Sequence, residues 1–332
     1  MQATVGEGRR PAPRGEEDRH MPRICMAGAA AAAMLQQRPM EGRVHSVFRR
    51  VLNVEMPALP GAVDNLYSLG RQDVPPSPAM LVTDLRRAFF GVSPGDVIRI
   101  HPDRIEVGEY RIAIPEVLPQ WQQRSHVCGA LADGETLEGY FSNIAVVLLQ
   151  RVPWPQPSSL LLLAGRQARR DDPFGKAFQA GVEALEAWGR EALKDPAPAP
   201  PSGETARLLG LGAGLTPSGD DYLSGVLTGL GQFPGAAALL ESVRRAVQAN
   251  LSRTNRLSQH FLSYAMAGYW GRLEDQLVDA LCGGDRPGYL AAAEALSAYG
   301  SSSGMDEMLG LRTGLRLGLL AAGVNGTEKA LV

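Results

Sequence analysis

Two short segments of this 332-residue chain repeat serine, glycine and aspartate at one spacing. Ser218-Gly219-Asp220-Asp221 and Ser303-Gly304-Met305-Asp306 both read S-G-x-D, and each leads into G-x-x-T-G-L. Aligned without gaps, 218–230 and 303–315 agree at seven of thirteen positions. The 85-residue offset fits a duplicated helical unit whose two helix starts pair in space, rather than a solenoid period. Carboxylates at such starts have two chemical uses. Asp220, Asp221 and Asp306 can hold a divalent cation through oxygen. They can instead accept hydrogen bonds from the N–H groups of a substrate that carries an amide. The hydroxyls of Thr216, Ser218, Ser302 and Ser303 serve either end of such a molecule. A reading without chemistry is also open: Ser218 with Asp221, and Ser303 with Asp306, fit the capping box.

What precedes the first start is not explained by a cap. Gly210-Leu-Gly212-Ala-Gly214-Leu-Thr216-Pro217 is a glycine-rich loop running into a helix. Such loops bring backbone N–H groups up to an anion at the positive helix end. Gly212, Gly214, Thr216, Ser218 and Gly219, with Ser302, Ser303 and Gly304 of the second start, are therefore the expected substrate-binding residues. The loop is not a nucleotide loop. Gly214 and Gly219 have the Walker spacing, but Asp220 stands where the lysine is required. A dinucleotide fingerprint also fails, at Leu215 and for want of a preceding strand.

Positive charge comes from Asn250–Ser258, between the repeats. Arg253 and Arg256, with Asn255, could clamp a carboxylate or phosphate. Equally, the segment reads as a solvated helix junction capped by Thr254 or Asn255. Arg169-Arg170-Asp171-Asp172 reads as a charged loop before a helix, His126 and Cys128 as structural, and His260 as a helix residue for which a structural place is preferred to the site.

Other chemistries find less support. The five histidines show neither H-x-x-x-H nor H-E-x-x-H, so a zinc site is not expected, and magnesium is the one cofactor left open. Three distant cysteines, without C-x-x-C, argue against a disulfide framework. A net charge of -2 gives no electrostatic footprint for nucleic acid or an acidic membrane. No run reaches the ~20 apolar residues of a membrane span, and a cytoplasmic protein is expected.

The elements that must position these residues fall into two textures. Residues 1–40 read as a disordered polar tail, with Met21 a candidate start, then an apolar run, Ile24 to Leu35, taken as an amphipathic helix rather than a signal peptide. Residues 41–157 are β-like. Arg104–Val107 and Tyr110–Ile114 alternate about Gly108-Glu109, a two-residue hairpin candidate. Residues 158–332 carry helical periods, as in Phe178, Val182, Leu185 and Trp188, interrupted by a Pro-rich connector at 195–203. The expected fold is α+β: a β-rich, barrel-like N-terminal domain, then a mainly α-helical domain bearing the repeat.

The motif L-x-G-L-G-A-G-L-T-P-S-G-D-D-Y-L-S-G (Leu208–Gly225) resembles the signature of a bacterial family of unknown function, some of whose members are assigned as an oxamate carbamoyltransferase subunit of allantoin (purine) catabolism. G-R-V-H-S-V-F-R-R-V-L-N-V (Gly42–Val54) and Ser302–Asp306 match as well, and Thr254 and Ser258 match more loosely. The resemblance spans about residues 41–320. It implies exchange of carbamoyl phosphate and oxamate with oxalurate and phosphate, assisted by further subunits, with catalysis by positioning and oxyanion stabilisation. The S-x-R-T-R phosphate loop of the aspartate- and ornithine-type enzymes is absent. From the residues alone, a non-catalytic regulatory subunit that binds a small anion and a Mg-dependent phosphotransferase remain the alternatives.

Overall fold

The structure is a computed structural model that describes residues 21–124 and 134–323. The expected tail and the pair His126 and Cys128 lie outside the described residues. The chain divides into two units. The first takes in the residues up to Pro57, then 67–74 and 79–120; the second takes in 58–66, 75–78 and the residues from Trp121 onward.

The first unit is built on β1 (Ile24–Gly28), α1 (Ala29–Leu35), β2 (Met40–Val47), β3 (Val51–Glu55), β4 (Leu66–Arg71), β5 (Met80–Thr83), β6 (Val97–Ile100), β7 (Arg104–Val107), β8 (Tyr110–Ala113) and β9 (Gln120–Trp121). The nine strands form one sheet in the order β8-β7-β6-β2-β3-β4-β5-β1-β9. It curls into a half-barrel, the expected β-rich architecture. Irregular register in β1 between Ile24 and Met26, and in β2 between Val44 and Ser46, supplies local twist. An isolated bridge from Arg23 to Ala113 joins the start of β1 to β8, on the far side of the strand order. Alternating positions turn Val44, Ile98, Ile100, Ile105 and Ile112 into the core.

Two local expectations meet the structure differently. The β7–β8 hairpin forms as its sequence reads, with Val107 opposite Tyr110 and Gly108 at φ +54°. The run Ile24–Leu35 is not one helix. Its first five residues pair antiparallel with β5, and only the alanine-rich remainder is helical. Pairing with Leu81 and Val82 outweighs a helical propensity that is only a weak prior.

The second unit contains α2 (Gly134–Arg151), α3 (Ser158–Leu163), α4 (Pro173–Ala192), α5 (Ser202–Leu208), α6 (Ser218–Leu230), α7 (Ala237–Asn250), α8 (Arg256–Met266), α9 (Arg272–Gly283), α10 (Arg286–Ser297) and α11 (Ser303–Ala321), with 3-10 turns at Pro234–Ala236 and Leu251–Arg253. Its core runs from Leu137 to Leu319. Cys25 is a free thiol, but Cys282 is disulfide-bonded, where the sequence argued against a disulfide framework. The expectation rested on spacing along the chain, and a disulfide depends on spacing in space.

The repeated helices α6 and α11 form the centre of this unit and run parallel. A Cβ on Gly225 would lie 2.1 Å from the Glu307 carbonyl oxygen, and one on Gly310 would lie 1.9 Å from that of Tyr222. Gly229 and Gly314 face each other one turn further along. Glycine at these four positions lets the two backbones touch, and the shared direction sets both helix starts side by side.

Candidate active site at the paired helix starts

The approach of α6 and α11 is continued at their first turns by exchanged hydrogen bonds. Thr216 Oγ1, just before α6, and Ser303 Oγ of α11 share a hydrogen bond at 2.9 Å. Both hydroxyls act on Asp221 of α6, and Ser218 of α6 acts on Asp306 of α11. Each serine of the S-G-x-D motif thus serves the aspartate of the other copy. Neither is a capping-box residue. The residue before α6 is Pro217, and that before α11 is Ser302, whose side chain makes no capping bond. Backbone carbonyls do the capping instead. Leu211 O accepts from Gly219 N–H, and Pro217 O accepts from Asp220 and Asp221 N–H. At α11, Tyr299 O and Ser302 O do the same for Gly304, Met305 and Asp306. Gly219 and Gly304 are explained by packing, since a Cβ would lie 2.0 Å from Leu208 O and 1.8 Å from Leu296 O, respectively.

Asp220 and Asp221 diverge completely. Asp220 is 1% exposed, and both its oxygens are used. Oδ1 accepts from Gly210 N–H at 2.8 Å, and Oδ2 accepts a short hydrogen bond from Thr254 Oγ1. Burial raises its carboxyl pKa, and the bonds from Thr254, Gly210 and Ser258 oppose the rise. Asp220 fastens the glycine loop to the turn before α8. In contrast, Asp221 Oδ2 and Asp306 Oδ2 are buried without a hydrogen-bond partner among the described residues. Burial, then repulsion from Asp306, pushes Asp221 well above the usual carboxylate range, against hydrogen bonds from Ser303 and Thr216. Burial pushes Asp306 up to about 6, opposed by Ser159, Ser218 and Ser302. Both carboxyls are thus held above the usual carboxylate range, Asp221 in part because Asp306 lies beside it. Glu307, next along α11, is also pushed well above the usual carboxylate range, by burial and by Glu274.

The loop itself offers donors. Gly210, Gly212 and Gly214 adopt φ of +75°, +144° and +100°, which side-chain-bearing residues avoid. Among the described residues, no protein acceptor takes the N–H groups of Gly212 through Thr216. Asn255 caps α8 by accepting from Leu257 and Ser258 N–H, and its Nδ2 holds the loop at Leu215 O (3.0 Å). The Arg253 carbonyl packs on Gly210, and its exposed side chain forms no ion pair among the described residues.

Arg256 points elsewhere. It binds Asp64 through both terminal nitrogens (2.7 and 2.8 Å) and also donates to Asn65 Oδ1, while His260 Nδ1 lies 2.8 Å from Asp64 Oδ2. Burial alone would raise the Asp64 carboxyl, but the bonds from His260 and Arg256 hold it far below the usual range. Burial lowers the His260 imidazole more than Asp64 raises it. The anion clamp expected of Arg253 and Arg256 together is therefore not assembled, because Arg256 already grips a carboxylate. Sequence reasoning missed Asp64, Ser159 and Glu307. The first two have no local signal; Glu307 was visible only as the acid aligned with Tyr222 in the repeat. Among the described residues, no three His, Cys, Asp or Glu side chains converge as metal ligands.

Residues 208–315 match the family described as oxamate carbamoyltransferase subunit AllH, and residues 23–119 match the AllH family N-terminal domain. The two matches take in most of the chain, which belongs to the AllH family. No solved structure matches it.

Proposed function

We propose that this chain is a subunit of a carbamoyltransferase acting on oxamate or oxalurate and carbamoyl phosphate, or on a similar small ureido or amide acid. Family membership supports the reaction class. One observation supports the site: two buried carboxyls, one from each repeat, keep an unused oxygen apiece beside a loop with unused N–H groups. The amide nitrogen of oxamate attacks the carbamoyl carbon, the new C–N bond forms, and the C–O bond to phosphate breaks. The nitrogen must lose a proton, and a carboxylate whose pKa is raised accepts it better than an ordinary one. Asp306, beside Asp221, has that role. The loop N–H groups from Gly212 to Thr216 bind the phosphate or the tetrahedral oxyanion, and Arg253 adds charge. Asp220, Asn255 and Ser258 hold the loop in place.

The test is oxalurate phosphorolysis by the chain assembled with its partner subunits. Asp221→Asn is expected to lower kcat by roughly a hundredfold or more, with the fold intact by circular dichroism. Unchanged kinetics would remove the paired aspartates from the mechanism. A second reading, a non-catalytic subunit that binds a small anion, is favoured by the burial of Asp306, which is 2% exposed. It predicts thermal stabilisation by oxamate or carbamoyl phosphate and full turnover in Asp221→Asn.

A further inference from the structure

The first unit carries a concentration of positive charge that the chemistry above does not use. β2 and β3 are joined by a tight turn whose two tip residues are Arg49 and Arg50, closed by Phe48 N–H donating to Val51 O (2.8 Å). Arg50 O accepts from Arg71 N–H at 3.0 Å, which sets the end of β4 beside this turn. A second turn follows at once, with Val74 N–H donating to Arg71 O, and it presents Asp73. Between the two turns lies a cavity of about 480 Å³ lined by Arg49, Arg50, Arg71 and Asp73.

The charges in this cavity do not balance. Asp73 is the single acid against three guanidiniums, a local excess of two positive charges in a chain whose net charge is -2. Its ion pairs are long: 3.3 Å to Arg71 and 3.9 Å to Arg50. Neither is a hydrogen bond, and Arg71 Nε has no hydrogen-bond partner among the described residues. The Arg49 side chain makes no ion pair or hydrogen bond among the described residues. Arginine ordinarily satisfies its planar fork on carboxylate or phosphate oxygens. Here several donors converge on a space within the size range of small-molecule sites.

We infer that the cavity between the Arg49-Arg50 turn and the Arg71–Val74 turn binds a small dianion of the phosphoryl class, either inorganic phosphate or a phosphate ester or anhydride. A dianion cancels the local excess, whereas a monocarboxylate leaves half of it. The site uses none of the glycine-loop residues and stands whether or not the helical unit performs carbamoyl transfer.

The test is calorimetric titration of the full chain with inorganic phosphate against sodium chloride of equal ionic strength. Wild-type protein is expected to show a saturable phosphate component. Arg49→Ala/Arg50→Ala, on an exposed turn, should weaken it at least tenfold without changing the melting temperature of the free protein. Asp73→Asn, which removes the competing carboxylate, should tighten it several-fold, and Lys194→Ala, which removes an exposed cation of the helical unit, should leave it unchanged. A phosphate isotherm identical in Arg49→Ala/Arg50→Ala would overturn the proposal, as would a chloride response equal to that of phosphate. An isotherm lost in Lys194→Ala instead would place the anion on the helical unit and equally overturn it. Exchanging phosphate for a phosphate ester in the same titration distinguishes the two ligand sources.

Discussion

Asp220 and Asp221 are adjacent in sequence and behave oppositely, because successive helix positions point about 100° apart. One turns toward donors from the loop and from Thr254; the other turns toward a second carboxyl. Asp220→Ala would orphan the Gly210 N–H and the Thr254 hydroxyl, so unfolding free energy should fall by about 1–3 kcal/mol. Urea denaturation measures this, and an unchanged midpoint would show that the loop is not fastened there. Asp306 makes a different prediction. Its folded pKa of about 6 lies above the ordinary 3.8. The folded state therefore binds the proton more tightly than the unfolded one. The associated stability is full below pH ~4 and is lost as pH rises through about 6, by roughly 3 kcal/mol in all. Asp306→Asn cannot titrate. The stability of the variant relative to wild type should therefore rise between pH 4 and pH 7. A difference that stays flat with pH would contradict the raised pKa.

At the scale of elements, the parallel contact of α6 and α11 governs everything near the site. Gly310→Ala would drive a Cβ into the Tyr222 carbonyl, which is backbone and cannot swing aside. A loss of about 3 kcal/mol or more is expected, in line with severe overpacking. Gly139, inside α2, is a fair control, since a Cβ there meets nothing within 4 Å. Gly139→Ala should stabilise by about 0.5–1 kcal/mol through helix propensity alone. Thermal melts of the two variants separate a required glycine from a tolerated one. If both changed stability alike, the close helix contact would not be as described. The contact also explains why a repeat of S-G-x-D is followed in each copy by G-x-x-T-G-L: the motif supplies the polar first turn, and the later glycines supply the approach.

For the molecule as a whole, the chain does not divide at a single cut. Residues 58–66 belong with the helical unit, although they lie between strands of the half-barrel. Asp64 is the anchor of that segment, held by Arg256 and His260 some 190 residues away along the chain. Asp64→Ala removes the carboxylate that accepts from the partly buried Arg256 guanidinium and pairs with the buried His260 imidazole. A loss of about 2 kcal/mol is expected, below the full value of a buried pair because Arg256 remains 29% exposed. Arg256→Lys should recover little of the Arg256→Ala loss, since two parallel bonds to a carboxylate need the planar fork. Full recovery in chemical denaturation would argue against the bidentate geometry. No helix among the described residues is long and apolar enough to cross a membrane.

Much of the architecture was legible because it is written in local patterns. Alternating β-branched residues about Gly108-Glu109 specified the β7–β8 hairpin, and the spacing of Phe178, Val182 and Leu185 specified α4, as period-2 and period-3.6 burial require. The S-G-x-D repeat also announced two helix starts and their pairing. Tertiary structure decided what those starts do. Whether Ser218 caps its own helix or reaches Asp306 depends on a carbonyl from Leu211 and on glycines a turn or more away. Whether Arg256 clamps a ligand or Asp64 depends on a residue nearly two hundred positions distant. The run Ile24–Leu35 divides into strand and helix because β5 offers a pairing edge that no local signal encodes. Periodicity is a property of neighbours along the chain. Hydrogen-bond satisfaction and burial are properties of neighbours in space, and the chemistry of the carboxyls follows from those.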